Sequence, residues 1–363
     1  MTWQAQLQQS VRTLDDLRRI VSLSDDEQRN IADIIEHYPM LITPYYLSLI
    51  NFDDPDDPIK KIALPTVYEA DTDGSFDTSG ENQNTVVRGL QHKYSETALM
   101  LSTSNCAMYC RHCFRKRLVG KSDDDSVDNL DAVYAYLMAH PEIQNVLVSG
   151  GDALMNSNSR IDEILSTLEK VPHLHYVRIA TRVPVTLPVR VSDDQELLDI
   201  LTKHNERKKL YVVTQFDHPR EITPQASAAI AALLTCGIPI RNQTVLLKGI
   251  NDCAETLSTL FGGLISIGVE PYYVFQCRPV TGVKNTFQVP LQKAYEIVEQ
   301  AKATQSGLSK ALRYCMSHVT GKIEILGALE DNVMLFKYHE AKDRNQLGKI
   351  FVQAISPDQS WLD

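Results

Sequence analysis

Between residues 97 and 304, short β-prone runs alternate with helical stretches six times. No other feature of the chain limits its fold as much. The runs are ALMLSTS (98–104), NVLVSG (145–150), YVRIAT (176–181), LYVVTQF (210–216), IPIRNQTVL (238–246) and PYYVFQ (271–276). Helical patterns lie between and after them at 127–140, 159–170, 193–205, 223–236, 254–266 and 288–304. Strand–helix units in series build a parallel sheet, because each helix carries the chain back across the sheet. Right-handed crossovers wind such units into a barrel or a doubly wound sheet. Six units fall short of the usual eightfold closure, so the expected fold is α/β, a partial (β/α)6 TIM-like barrel.

Both ends of the chain depart from this rhythm. LDDLRRIV and the stretch from Asp25 to His37 space their apolar residues as helices do, and Ser24 with Glu27 matches a capping box. Residues 52 to 86 are rich in Asp, Pro, Gly and Ser and read as loop and wrapping segment, not core. After residue 305 the strand–helix rhythm stops, and GKIEILGALEDNVMLFKY reads as strands and turns packed on the barrel. The expected division is an N-terminal helical and wrapping segment (1–90), a barrel (91–305) and a C-terminal segment (306–363).

The balance of 36 Lys and Arg against 46 Asp and Glu gives a net charge of −10. Such a chain repels phosphate backbones, so nucleic acid is not the expected partner. The apolar runs are too short for a membrane span, and MTWQAQLQQSVRTLDD lacks the pattern of a signal peptide. A soluble cytoplasmic protein is the expectation.

Three of the seven cysteines crowd into CAMYCRHC, at Cys106, Cys110 and Cys113, directly after the first strand. Their C-x3-C-x2-C spacing can bring three thiolates to one metal centre. Three is one short of a closed zinc site and one short of full ligation of a cubane iron–sulfur cluster. An open cluster leaves one iron free for a small molecule; zinc completed by a distant His or Cys is the competing reading. The other four cysteines are scattered, as buried small hydrophobes are.

This motif resembles that of the radical S-adenosylmethionine (SAM) superfamily. With TPYYLSLI, DDPIKKIALP, CAMYCRHCFRKR, SGGDAL, TRVPVTLP, FDHPREIT, NQTVLLKGIND and FQCRPVTG, the chain resembles the lysine 2,3-aminomutase family from about residue 20 to about 340. The resemblance implies a [4Fe-4S] cluster on Cys106, Cys110 and Cys113, with SAM on its open iron. It also implies SAM contacts from Gly150, Gly151 and Asp152 of SGGDAL. Pyridoxal 5′-phosphate is the implied second cofactor, with Lys322 in HVTGKIEIL as its Schiff-base lysine; Lys93 and Lys284 are the next lysines to consider. Tyr94 matches a tyrosine that packs on the pyridine ring. Lys93 and Thr97 stand where phosphate-binding arginines are expected, and Thr97 departs from the pattern. His112 is within reach of the same cofactor or holds the loop.

Arg115 matches the partner of the substrate α-carboxylate. Two aspartates that receive a distal ammonium in lysine-acting members are replaced here by Arg278 and Cys315. The implied activity is a 2,3-aminomutase, an isomerase moving an α-amino group to the β-carbon of a free α-amino acid, with an acidic, glutamate-like substrate. Lysine 2,3-aminomutase is one alternative. A radical SAM enzyme with other hydrogen-abstraction chemistry and no pyridoxal phosphate is another. An electron donor such as flavodoxin or ferredoxin is the implied protein partner. No cysteine follows Cys315, so the family's C-terminal zinc site is not expected, and any homo-oligomer would use other contacts.

Overall fold

The computed structural model describes residues 2–330 and 332–362. One sheet runs through the molecule, its twelve strands ordered in space as they are in sequence. A short antiparallel ribbon opens it: β1 (Thr85–Val87), β2 (Leu90–Tyr94) and β3 (Thr97–Leu101). From β3 the strands run parallel: β4 (Asn145–Ser149), β5 (Tyr176–Ala180), β6 (Lys209–Thr214), β7 (Ile240–Leu246) and β8 (Val269–Gln276). These are the six expected strands, and the six expected helices lie between and after them. Among the described residues β3 pairs with β2 and β4 alone, so the barrel stays open.

The helices cover the outer face with apolar stripes. In Asn158–Glu169 the residues Ile161, Ile164, Leu165 and Leu168 are buried, which is the i, i+3, i+4, i+7 pattern of one helix face. Ser24 and Glu27 form the expected capping box, with each side chain meeting the other residue's backbone N–H.

The rhythm does not stop at residue 305. The helix Leu291–Ala303 is one more crossover, delivering β9 (Arg313–His318) as a seventh parallel strand beside β8. Then β10 (Gly321–Glu330), β11 (Val333–Ala341) and β12 (Ile350–Ala354) follow as antiparallel hairpins. Met316, Ile323, Ile325 and Phe336 share a core with Leu257 and Phe261 of helix Ala254–Ser266, so this C-terminal sheet is packed on the barrel as expected.

Residues 52–86 do wrap, but they also reach the interior. Asp57, Glu69 and Glu81 are buried. Glu69 takes Arg111 in a forked pair (Nε to Oε1 2.9 Å, Nη2 to Oε2 2.5 Å) and also binds Lys116. Burial works against its ionisation, but the two cations hold its carboxyl below the ordinary carboxylate range. Glu69→Gln leaves two buried cations without their anion, so we expect a loss of about 3–5 kcal/mol of stability in urea titration. A loss under ~1 kcal/mol would refute the role of this ion cluster.

Candidate active site

The barrel lumen opens into a cavity of about 350 Å³ at the C-terminal ends of the parallel strands. Its wall includes Cys106, Cys110 and Cys113, Gly150 to Asp152, Lys93, Tyr94, Thr97, His112, Arg115, Arg278 and Lys322. The fold therefore gathers every expected site residue except Cys315 and Lys284 around one space. A second hollow of about 430 Å³, lined by Arg88, Asp123, Asp128 and Arg160 among others, contains none of them.

The three cysteines are free thiols on the loop after β3. Desolvation pushes all three thiols up, so each holds its proton until a cation displaces it. Among the described residues, the one set of three ligand atoms within 4.8 Å of one another is His92, His140 and Glu142. The three cysteine sulfurs are thus too dispersed to close on a single ion as they stand, whereas a multi-iron cluster needs a separate iron for each. Arg182 Nη1 donates to Cys110 Sγ at 2.7 Å, and its Nη2 meets Glu221 at 2.6 Å. Of the remaining cysteines, Cys236, Cys277 and Cys315 are buried as expected. Cys253 is exposed beside Thr256, because it precedes a helix whose first turn faces solvent.

SGGDAL follows β4. A Cβ on Gly150 would lie 2.2 Å from Thr103 O, and one on Gly151 would lie 2.3 Å from Asn105 O. Gly150 also has φ of +134°, a conformation that side chains disfavour. Here the glycines admit the chain's own cysteine loop, bonded through Gly151 N to Thr103 O (2.6 Å) and Asp152 N to Asn105 O (2.8 Å). The Asp152 carboxylate accepts from Leu154 N, Thr181 Oγ1 and Arg182 N, so it braces two strand-end loops.

Lys322 is near the start of β10, opposite Ser317 of β9 and Glu340 of β11. Its Nζ donates to Glu340 Oε1 at 3.1 Å and lies 4.6 Å from the Tyr273 ring centre and 6.0 Å from that of Tyr94. Lys93 Nζ is held by the carbonyls of His318 (2.6 Å) and Ser79 (3.3 Å). Burial and the positive charges of Arg278, Lys342 and Lys322 bring its pKa down to about 7. Lys284 pairs with Asp73 and is absent from the cavity wall. His112 packs against Gln215 and Asp217, and its Nδ1 has no hydrogen-bond partner among the described residues.

Arg115 donates from Nε to Glu81 (2.9 Å) and from Nη1 to Ser149 Oγ (3.2 Å) and Gly150 O (3.3 Å). Burial opposes ionisation of Glu81, but Arg115, Arg278 and Arg117 pull its carboxyl down to about 2. The Arg278 guanidinium carbon lies over the Phe114 ring, 4.1 Å from its centre. It does not pair with Glu221, which is occupied by Arg182 and the Tyr46 hydroxyl. Among the described residues no carboxylate makes an ion pair with Arg278, and its Nη1 has no hydrogen-bond partner. Burial brings its pKa down to about 10, so it is charged at neutral pH. Cys315, on β9, is fully buried and adds no carboxylate.

No protein-family profile matches the chain. A provisionally named L-lysine 2,3-aminomutase of Aquifex aeolicus is 42% identical over 350 residues, covering 96% of this chain and 93% of that protein. The chain belongs to the lysine 2,3-aminomutase family of the radical SAM superfamily. Two further relatives show that the names within this family divide by substrate. The L-lysine 2,3-aminomutase of Clostridium subterminale is 38% identical (84% of this chain, 73% of that protein). The glutamate 2,3-aminomutase of Clostridioides difficile is 36% identical (84% and 71%). As a member of the lysine 2,3-aminomutase family, the protein is an isomerase.

Four residues of this site were not found by sequence reasoning. Glu81 comes from the wrapping segment and Glu340 from β11, and neither sits in a recognisable motif. Arg182 lies within TRVPVTLP but matched no role. Arg178 did carry a signal, a charge at an inward position of the apolar run YVRIAT. Among the described residues no helix is long and apolar enough to cross a membrane.

Proposed function

We propose that the protein is a 2,3-aminomutase for an acidic α-amino acid, glutamate before aspartate, using a [4Fe-4S] cluster, SAM and pyridoxal phosphate. Arg278 carries this reading: it is a half-buried, charged guanidinium on the cavity wall that makes no ion pair among the described residues, with its Nη1 buried and unpartnered there. A side-chain carboxylate there gains a charge-assisted hydrogen bond worth about 1.5–3 kcal/mol, whereas an ammonium meets a like charge.

Cys106, Cys110 and Cys113 would hold the cluster, the backbone at Gly150 and Gly151 would face SAM, and Lys322 would hold pyridoxal phosphate. When bound, these groups supply one-electron initiation, hydrogen abstraction and stabilisation of charge or spin beside the migrating nitrogen. The chain's own residues do the rest. Tyr94, on the cavity wall, would offer its ring to a flat group at Lys322, while Tyr273 packs beside the Lys322 amine. Glu340 keeps the Lys322 amine oriented and takes up its charge. Arg115 offers its fork to the α-carboxylate, with Glu81 fixing its plane. The buried wall excludes water from the reacting atoms.

A second reading, lysine as substrate, is favoured by Glu340. This lumen carboxylate could receive a distal ammonium once Lys322 is engaged elsewhere. Rearrangement rates for glutamate and lysine by the anaerobically reconstituted enzyme separate the two. We expect glutamate to react at least about tenfold faster, and Arg278→Asp to reverse the order. Faster turnover of lysine by the unaltered enzyme would defeat the acidic assignment.

A further inference from the structure

Arg178 projects from the middle of β5 into the lumen, where the neighbouring strand positions carry small or apolar side chains such as Ala180, Leu147 and Val213. One of its donors is used: Nη2 meets Asn145 Oδ1 at 2.7 Å. Its Nε is buried and has no partner among the described residues, and no carboxylate there makes an ion pair with it. Asn145 is itself fixed, since its amide nitrogen donates to Glu96 O and Thr97 Oγ1, each at 3.0 Å. The guanidinium is thus held by a neutral amide and makes no direct ion pair among the described residues, Glu340 acting on it only from a distance. A half-buried cation with a buried, unpaired Nε can take an anion directly.

The position of Arg178 says which anion. Thr97 is level with Asn145 on the adjoining strand, and Thr97 also pairs with Tyr94, one of the two rings beside Lys322. Glu340 links the two ends of this wall. Burial opposes its ionisation, but Lys322 first, then His339 and Arg178, hold its carboxyl below the ordinary range. Arg178 therefore lies within electrostatic reach of the Lys322 pair. Arg278, by contrast, stands beyond the end of β8, on a different strand from Arg178. Among the described residues of the lumen wall, Arg178 and Arg278 stand on different strands and make no ion pair, which suits one phosphate and one carboxylate.

We propose that Arg178 binds the phosphate of the cofactor held at Lys322, supplying the forked cation that position 97 lacks. The inference rests on the reading that Lys322 holds pyridoxal phosphate. Thr97 Oγ1, Asn145 and Arg178 form one hydrogen-bonded line, so the anion site has moved two strands along the barrel, from β3 to β5. A threonine at 97 is then no sign that the cofactor has been abandoned.

The test compares binding of pyridoxal 5′-phosphate and of pyridoxal, which lacks the phosphate, to the purified full-length protein by absorbance titration. Arg178→Gln should weaken the phosphorylated ligand about tenfold or more and leave pyridoxal unchanged. Arg178→Lys should recover part of the loss, because it keeps the charge and loses the fork. Inorganic phosphate should compete with pyridoxal 5′-phosphate in the unaltered protein and lose that effect in Arg178→Gln. Equal weakening of both ligands, or no weakening of either, overturns the proposal while leaving the Lys322 assignment standing. If the unaltered protein forms no borohydride-stabilised adduct with pyridoxal 5′-phosphate, the parent reading falls and this inference falls with it.

Discussion

Replacing any one of Cys106, Cys110 or Cys113 by Ala is expected to abolish reductive cleavage of SAM and to strip iron from the anaerobically reconstituted protein. Nothing in the cavity replaces a lost thiolate at the same place. Cys277 lines the same space, but its surroundings are Asp217 and Arg278, not the other three sulfurs. Cys277→Ala is therefore the informative control. It should keep its iron and its cleavage activity, as should Cys236→Ala and Cys253→Ala. Loss of iron in Cys277→Ala would mean a closed four-thiolate site and would remove the open coordination position on which SAM chemistry depends.

The second large effect belongs to Lys322. Lys322→Ala should leave iron content and SAM cleavage intact while removing the borohydride-stabilised adduct with pyridoxal phosphate, and rearrangement should fall to background. The separation is physical. Lys322 is on β10, whereas the cysteines are on the loop after β3, and no hydrogen bond joins them among the described residues. Lys93 is the residue to compare, since its pKa of about 7 leaves a substantial share of its amine neutral near neutral pH. An adduct that persists in Lys322→Ala and disappears in Lys93→Ala would transfer the role to Lys93.

The barrel was readable because its strands and helices bury opposite faces in different periods. Runs such as NVLVS and the Ile161–Leu168 stripe show this pattern within a few residues. β9 was not readable in the same way. RYCMSH mixes charge, sulfur and hydroxyl, and pairing with β8 on one side and β10 on the other makes it a strand. The cysteine loop was legible because its ligands are close in sequence. Its supports were not: Glu69 and Glu81 lie in a stretch of Asp, Gly and Ser that has every mark of solvent exposure. They are buried because Arg111, Arg115 and Lys116 need anions, a demand that arises only when the chain has folded. Gly150 and Gly151 are expected to let SAM approach the backbone, but the near neighbour that their missing side chains admit is the cysteine loop itself.

The sheet is assembled in the order of synthesis, each strand beside the one before it. A chain emerging from its N-terminus can add strands one at a time without threading a later segment between earlier ones. The cysteine loop is complete once β3 and β4 have paired, long before β9 exists. Lys322 reaches the lumen only after β9 has docked along β8 and β10 has turned back on it. A chain stopped before residue 313 would carry the three thiols without this lysine, and would leave β8 an open edge. The amine that defines the second half of the chemistry comes only after all seven parallel strands, so it reports a finished parallel sheet.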